Sequence, residues 1–164
     1  MPHAELGVTA TGHASPTLRL TESELSAWGE QFGRACRAPM VVGLVGELGA
    51  GKTTLVRAIC RGFGVTEDVT SPTFALVHQY EAPEAPVYHL DLYRLAGPRD
   101  LTNLAWDEIM GERALVLVEW PDRAAGRIPA PAVQLLLSHE PGAPDVRGLR
   151  IETTGAEYGA GANA

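Results

Sequence analysis

Two continuous apolar runs, MVVGLV at 40–45 and ALVLVE at 114–119, stand out in the hydrophobic pattern of the chain. Their length and β-branched content predict short strands, and unbroken apolar sequence is typical of strands buried on both faces of a sheet. The alternating stretch 73–80 predicts a further strand, which forms a β-hairpin with 87–91 across the Pro-rich turn 81–86. The remaining strands are predicted at 17–21, which resembles an edge strand, and at 132–139 and 149–154.

A helix is predicted from Thr21 to about Arg37. Thr21 and Glu24 have the S/T-x-x-E spacing of a capping box, in which the hydroxyl and the carboxylate each accept a backbone N–H at the helix start. The apolar positions recur at helical spacing and predict one buried face, formed by Leu25, Trp28, Phe32 and Ala35.

A second helix is predicted from Lys52 to about Arg61, ended by Gly62 and Gly64. One or two short helices are predicted within 97–111. Strands mixed with helices in this order indicate an α/β domain whose sheet is partly parallel, with antiparallel additions.

The length of 164 residues and a hydrophobic fraction of 45% predict one domain with a substantial core. We place it at 17–153, between a disordered tail at 1–16 and a flexible, low-complexity tail at 154–164. The sequence lacks an apolar run of bilayer length and the features of a signal peptide, which favours a cytoplasmic protein. Cys36 and Cys60 have apolar neighbours within predicted helices and are expected to be plain buried thiols.

The net charge is −7, from 20 acidic and 13 basic residues, and Lys52 is the only lysine. Strong binding to RNA or DNA requires Lys and Arg side chains that neutralise phosphates. We therefore expect no tight direct binding to nucleic acid. An acidic surface is compatible with docking onto a basic protein partner.

The segment GELGAGKT at 46–53 matches the phosphate-binding pattern G-x-x-x-x-G-K-[ST], between a predicted strand and a predicted helix. Glycine lets the backbone wrap closely around a phosphate, and the start of the following helix adds positive potential. In this pattern Lys52 contacts the β- and γ-phosphates and the Thr53 hydroxyl binds Mg²⁺. The pattern predicts a P-loop NTPase-like sheet, with a parallel core, antiparallel additions and helices on both faces; the alternative is an ordinary Gly-rich turn.

Asp91 and Glu119 each end a predicted strand. Ligands of open α/β sheets lie at the carboxyl ends of strands, so both acids are candidates for the metal site and for orienting a water. The alternative for either acid is that it only caps the next turn. Ser71 and Thr73 form a candidate switch loop that senses the γ-phosphate or Mg²⁺, or else a simple Ser-Pro turn. His89, on the same face as Asp91, is interpreted as a structural histidine with its hydrogen bonds satisfied.

The nucleotide is predicted to be ATP, because neither Asn103 nor Asn163 begins the N-K-x-D motif that reads guanine. Three functions remain open at this point: an ATPase, a kinase for a small metabolite, and a nucleotide-gated binding module with negligible turnover. For the kinase, Arg123 and Arg127 form a candidate lid over a transferring phosphoryl group. The alternative for this segment is a solvated loop, and little chain is left for an acceptor-binding region.

The motifs GELGAGKTT, SPTF, HLDLYRL and LVEWP, in that order, resemble those of the TsaE family of bacterial ATPases over about 20–153. The resemblance implies a protein needed for threonylcarbamoyl (t6A) modification of the adenosine beside the anticodon, in tRNAs that read codons beginning with A. It implies action on a TsaB–TsaD pair, in which TsaD transfers the group that TsaC activates, and contact with tRNA only through that complex. The implied role of ATP hydrolysis is to reset the complex between turnovers.

The same resemblance implies roles for individual residues, with ATP and Mg²⁺ as cofactors. Thr53 and Glu119 correspond to the Mg²⁺ pair, and Asp91 to an acid important for hydrolysis. Trp120 is expected near the nucleotide. Positions that contact the nucleotide are matched by Glu22, Gly46, Gly49, Ala50, Gly51, Lys52, Thr53, Thr54 and Arg147.

Overall fold

The fold is built on a seven-stranded mixed sheet, seen in a computed structural model that describes residues 15–72, 76–124, 126–129 and 132–154. The strands are β1 (Leu18–Thr21), β2 (Met40–Val45), β3 (Val77–Tyr80), β4 (Val87–Asp91), β5 (Leu115–Glu119), β6 (Ala132–His139) and β7 (Val146–Thr154). The helices are α1 (Glu22–Ala35), α2 (Lys52–Phe63) and α3 (Trp106–Gly111), with 3₁₀ helices at Pro98–Leu104 and Pro121–Ala124.

The strand order across the sheet is β1-β7-β6-β2-β5-β4-β3. The four central strands, β6, β2, β5 and β4, run parallel, whereas β7 is antiparallel to β6 and β1 to β7. At the other edge β3 and β4 form the predicted antiparallel hairpin, although β3 starts only at Val77 and 73–75 lie outside the described residues. The predicted mixed sheet with a parallel core is confirmed.

Helices cover both faces of this sheet, as predicted. On one face α1 and α2 pack over a core that includes Leu44, Leu115 and Leu135. On the other face α3 and the 3₁₀ helices enclose a second core around Trp106 and Val118. The central strands are therefore buried on both sides, which explains their unbroken apolar sequence.

The start of α1 is fixed by the predicted capping box. Thr21 Oγ1 accepts the Glu24 N–H at 3.3 Å, and Glu24 Oε2 accepts the Thr21 N–H at 2.7 Å. The predicted end was wrong, because α1 stops at Ala35 instead of about Arg37. Ala35 is exposed, contrary to the prediction, and the buried position at this end of the helix is instead filled by Cys36, which leaves the helix with extended backbone.

The sequence predicted that Gly62 and Gly64 end α2 at about Arg61, but only Gly64 does so. The helix continues to Phe63 and ends at Gly64, whose φ of 110° is left-handed. At Gly62 the Glu30 backbone of α1 comes so close that a Cβ would overlap the Glu30 carbonyl oxygen. Gly33 of α1 faces the Ile59 carbonyl of α2 in the same way. Both glycines are needed for helix contact, which a local helix-stop rule does not detect.

We expect the Gly62→Ala variant to lower the free energy of unfolding by about 1–3 kcal/mol, because the added methyl group forces α1 and α2 apart. Urea denaturation measures this loss. Gly111→Ala is the matched control, since a Cβ at that helical position meets no atom within 4 Å. Equal losses in the two variants would contradict the close-packing explanation.

The predicted termini of the domain lie mostly outside the described residues, which begin at Ser15 and end at Thr154. Ser15, which the sequence assigned to the tail, exchanges hydrogen bonds with Ile151 of β7, at 3.0 Å each. Ser15 is therefore attached to β7 by two hydrogen bonds. None of the helices formed by the described residues has the length and apolar character to cross a membrane.

Cys36 and Cys60 are buried free thiols, as predicted. Burial raises the pKa of each to about 12, against a smaller lowering by the neighbouring Arg37 or Arg61. Both thiols are consequently protonated at neutral pH and serve as small apolar core groups.

Candidate functional site

The turn between β2 and α2 has the conformation that its glycines predict. Gly49 and Gly51 have φ values of 77° and 102°, which side chains disfavour. Gly51 is the N-cap of α2, no side chain caps that end, and the first turn contains no acidic residue. The start of α2 thus presents amide donors and positive potential without a competing carboxylate on the helix itself, and these features fit a phosphate group.

Two other predicted loop residues have packing roles in the structure. A Cβ at Gly46 would lie 2.8 Å from the Leu137 carbonyl oxygen of β6 and 3.2 Å from Ala50 Cβ. Ala50 itself is buried. Gly46 and Ala50 therefore let the loop lie close against the sheet, and their side-chain positions do not line the cleft described below.

The Lys52 side chain lies folded over this loop. It is 6% exposed, and its Nζ donates hydrogen bonds to the carbonyl oxygens of Gly46 (2.5 Å) and Glu47 (2.8 Å). Nζ also lies 4.6 Å from the Trp120 ring centroid. Burial lowers the pKa of Lys52, while the nearby Glu119 carboxylate opposes that shift. Within the described residues the ammonium group donates only to uncharged carbonyl oxygens. An anion that entered the cleft would therefore be a stronger hydrogen-bond acceptor than its present partners.

Glu119 lies at the carboxyl end of β5 and is only 2% exposed. Its two carboxylate oxygens have separate partners. Oε1 accepts a hydrogen bond from Thr53 Oγ1 at 3.4 Å, and Oε2 lies 2.9 Å from His89 Nε2. The tertiary structure thus brings the predicted Mg²⁺ pair, Thr53 and Glu119, into direct contact.

Asp91 pairs in register with Glu119, because β4 and β5 are parallel neighbours. Its Oδ1 accepts the Tyr93 N–H at 3.0 Å, so the turn-capping alternative is observed. Asp91 also lines the cleft beside Lys52 and Thr53, and the two roles are compatible. Burial raises the pKa of Asp91, with repulsion from Glu119 adding to the shift and the Tyr93 hydrogen bond opposing it. A carboxyl group with a raised pKa at a cleft is a candidate proton acceptor.

These groups border a cleft of about 340 Å³ above the phosphate loop. Among the predicted site residues, it is lined by Gly49, Gly51, Lys52, Thr53, Thr54, Ser71, Asp91, Glu119 and Trp120. Of the candidate switch loop, Ser71 reaches this cleft, whereas Thr73 lies outside the described residues.

An adjoining cleft of about 490 Å³ contains Glu22 and Arg147 and shares Gly49, Gly51 and Thr54 with the first. Antiparallel pairing of β1 with β7 places Leu20 beside Arg147 and thereby brings the start of α1 to the late turn. Through these shared residues the two clefts adjoin around the phosphate loop.

Trp120 has an unusual backbone for a non-glycine residue, with φ at 58°. A left-handed conformation costs about 1–2 kcal/mol, and such strain concentrates at functional positions. The conformation turns the indole ring over Lys52 and against Tyr93, with ring centroids 5.0 Å apart. Tyr93 was not among the predicted residues, although its position two residues after Asp91 in HLDLY is a local signal for it.

We expect the fluorescence of Trp120 to report nucleotide binding, because a phosphate that attracts Lys52 would change the charge above the indole ring. The measurement is an ATP titration of a Trp28→Phe/Trp106→Phe protein, in which Trp120 is the only remaining Trp. A Trp120→Phe variant that keeps the two buried Trp residues is the control, and its fluorescence should not change when ATP is added. Flat emission in the first protein, while calorimetry detects binding, would contradict this placement.

The two candidate lid arginines have different contacts. Arg127 forms an ion pair with Asp107 of α3 at 3.0 Å, and its carbonyl oxygen accepts the Trp106 Nε1–H. Arg123 Cζ lies 6.0 Å from the Tyr93 ring centroid, at the border of the cleft. In this structure Arg127 is directed to α3, which does not favour a lid made of both arginines.

The side chains of the cleft are too few to hold a divalent cation by themselves. They fit such a cation when oxygen ligands from outside the chain complete its shell. Within the described part of the chain, no group of three or more His, Cys, Asp or Glu residues has the geometry to hold a metal ion. Thr53 and Glu119 supply one hydroxyl and one carboxylate, and Mg²⁺ commonly completes its shell with phosphate and water oxygens.

Comparisons with known proteins agree on one family. A family model described as "Threonylcarbamoyl adenosine biosynthesis protein TsaE" matches residues 19–146. Two proteins named "tRNA threonylcarbamoyladenosine biosynthesis protein TsaE" are similar to this chain. The protein from Nostoc sp. (strain PCC 7120) is 38% identical over 112 residues, which are 66% of this chain and 68% of that protein. The protein from Treponema pallidum (strain Nichols) is 35% identical over 114 residues, which are 70% and 84% of the two chains.

A solved structure extends this agreement to the fold. The crystal structure of Bacillus subtilis YdiB matches with a TM-score of 0.72 and 26% sequence identity, over 87% of each chain. The matched family model begins in β1 and ends at the start of β7, so it includes the phosphate loop, both strand-end acids and Trp120. From the extent of these matches, we conclude that this chain belongs to the TsaE family.

Proposed function

We propose that this protein binds ATP and Mg²⁺ in the cleft above the phosphate loop and hydrolyses ATP in support of t6A modification of tRNA. The observation that carries the proposal is the convergence of Lys52, Thr53, Asp91 and Glu119 on one cleft at the carboxyl ends of β2, β4 and β5. The similar proteins from Nostoc and Treponema are named for t6A biosynthesis, which supports the same process here.

In this proposal each residue has one task. The amides at the start of α2 and the Lys52 ammonium bind the phosphates, and Thr53 and Glu119 hold Mg²⁺. When bound there, Mg²⁺ would supply positive charge that neutralises the phosphate oxygens. Asp91 orients the attacking water and accepts its proton, a task for which its raised pKa is suited. Trp120 and Tyr93 line this part of the cleft, with their ring centroids 5.0 Å apart.

The adjoining cleft between α1 and the β6–β7 turn takes the rest of the nucleotide in this proposal. Glu22 and Arg147 lie there, and Arg147 Nη1 donates to the carbonyl oxygens of Pro144 and Val146. These contacts hold the guanidinium at the cleft border, where its remaining donors would be available to a polar ligand. Hydrolysis is then coupled to protein partners, the TsaB–TsaD pair, in agreement with a chain whose net charge is −7.

The decisive experiment combines ATP hydrolysis with a pull-down on the TsaB–TsaD pair, with and without ATP. We expect weak hydrolysis without any acceptor, nucleotide-dependent capture of the pair, and a changed rate when the pair is added. A small-metabolite kinase would instead release ADP only with an acceptor and yield a phosphorylated product. ATP-dependent capture of the pair without measurable turnover would support a nucleotide-gated binding module.

A further inference from the structure

His89 is a buried side chain to which the proposed mechanism gives no role. It is 0% exposed, and it lies on the face of β4 shared by Val87, which packs in the core beneath α1 and α2. Its Nε2 lies 2.9 Å from Glu119 Oε2, but its Nδ1 is a buried atom without a hydrogen-bond partner among the described residues. The interpretation of His89 as a histidine with its hydrogen bonds satisfied was therefore wrong for one of its two ring nitrogens. A core position filled only for packing would favour an apolar side chain, because an unpaired buried polar atom is costly.

The tautomer of the His89 ring follows from these contacts. If the hydrogen is on Nε2, that nitrogen donates to the Glu119 carboxylate and only a lone pair on Nδ1 stays unpaired. With the hydrogen on Nδ1 instead, a lone pair would face the carboxylate and a buried N–H would lack an acceptor. The first tautomer therefore fits the site, and His89 is a donor to one oxygen of Glu119.

We infer that His89 is a positioning residue whose Nε2–H holds the Glu119 carboxylate, so that its other oxygen faces Thr53 and a bound divalent cation. Two distances carry this inference, since Oε2 is occupied by His89 at 2.9 Å and Oε1 faces Thr53 Oγ1 at 3.4 Å. Groups that orient metal ligands in this way change metal affinity about 10- to 100-fold when removed. The inference rests on the proposed function, because it presumes a cation at Thr53 and Glu119.

The test measures the affinity of a non-hydrolysable ATP analogue by calorimetry, once with saturating Mg²⁺ and once with EDTA. We define the Mg²⁺ gain as the dissociation constant in EDTA divided by the dissociation constant with saturating Mg²⁺. The key pair of variants is His89→Gln and His89→Asn, which place the same amide group at different distances from the backbone. The Gln amide reaches the position of His Nε2, whereas the shorter Asn amide reaches only that of Nδ1.

We expect His89→Asn to reduce the Mg²⁺ gain about 10-fold or more, while affinity in EDTA is unchanged and His89→Gln keeps most of the gain. His78→Asn is the control, since His78 lies opposite His89 in the β3–β4 pair but bonds Tyr80 instead. Equal gains in His89→Asn and wild type would overturn the inference. Equal losses in the Asn and Gln variants would also overturn it, because ring packing would then explain the effect.

A double-mutant cycle keeps the test decisive if either variant is less stable. When His89 acts through Glu119, adding His89→Asn to Glu119→Gln should change the Mg²⁺ gain no further. Additive losses would contradict the inference. If the wild-type protein shows no gain from Mg²⁺ at all, the proposed cation site is wrong and the inference fails with it. A gain in wild type that His89→Asn retains leaves the proposed function intact and rejects only the role of His89.

Discussion

Replacing Lys52 by Ala is expected to lower ATP hydrolysis about 10²–10³-fold, which is the typical loss when one preorganised charge-stabilising group is removed. The buried ammonium lies over the loop and donates to the Gly46 and Glu47 carbonyls, uncharged acceptors that an anionic phosphate would replace. Steady-state release of phosphate measures the effect. The fold should persist, because Lys52 packs at the border of the cleft and α2 keeps its apolar contacts.

Arg61→Ala is the matched control on the same helix. Arg61 is an exposed cation that pairs with Glu30 of α1 at 3.0 Å, far along α2 from the phosphate loop. Its loss removes one positive charge from the protein without touching the cleft, and hydrolysis should be unchanged. If Lys52→Ala hydrolyses ATP at the rate of the control, the assignment of the phosphate site is wrong.

Glu119→Gln and Asp91→Asn are expected to separate metal binding from turnover. Glu119 contacts Thr53 at the proposed cation position, so Glu119→Gln should weaken Mg²⁺-dependent ATP binding. Asp91 borders the cleft with Ser71 and its carboxylate accepts the Tyr93 N–H, so Asp91→Asn should bind Mg-ATP almost normally. It should nevertheless hydrolyse ATP about 10²–10⁴-fold more slowly, as expected for loss of a general base, and fail to support t6A formation with the partner proteins.

The measurement for this pair is ATP affinity at several Mg²⁺ concentrations, alongside steady-state hydrolysis. Asp122→Asn serves as a control, because this acid follows Trp120 closely but does not line the cleft above the phosphate loop. If Asp91→Asn loses the Mg²⁺ dependence and Glu119→Gln keeps it, the two roles are reversed. Normal behaviour of both variants would leave only the phosphate loop as a site.

The elements that the sequence predicted well are those specified by neighbours along the chain. The capping box of α1, the glycine conformations of the phosphate loop and the hairpin of β3 and β4 all depend on contacts within a few residues or across a short turn. The same holds for Asp91 and Glu119 as strand ends, since apolar runs show where strands stop. The errors at Ala35 and Gly62 arose where another helix, or the core, decided a position that local rules assign differently.

The candidate site divides in the same way. The sequence by itself determined the phosphate loop, the strand-end acids and the resemblance to the TsaE family, because these are carried by residue types at short, fixed spacings. Only the tertiary structure decided that Glu119 meets Thr53 and His89, which are 66 and 30 positions away. It also decided that Glu22 and Arg147 share a cleft, through the β1–β7 pairing. The physical reason is that strand order and register are set by burial summed over the whole sheet, which no local pattern encodes.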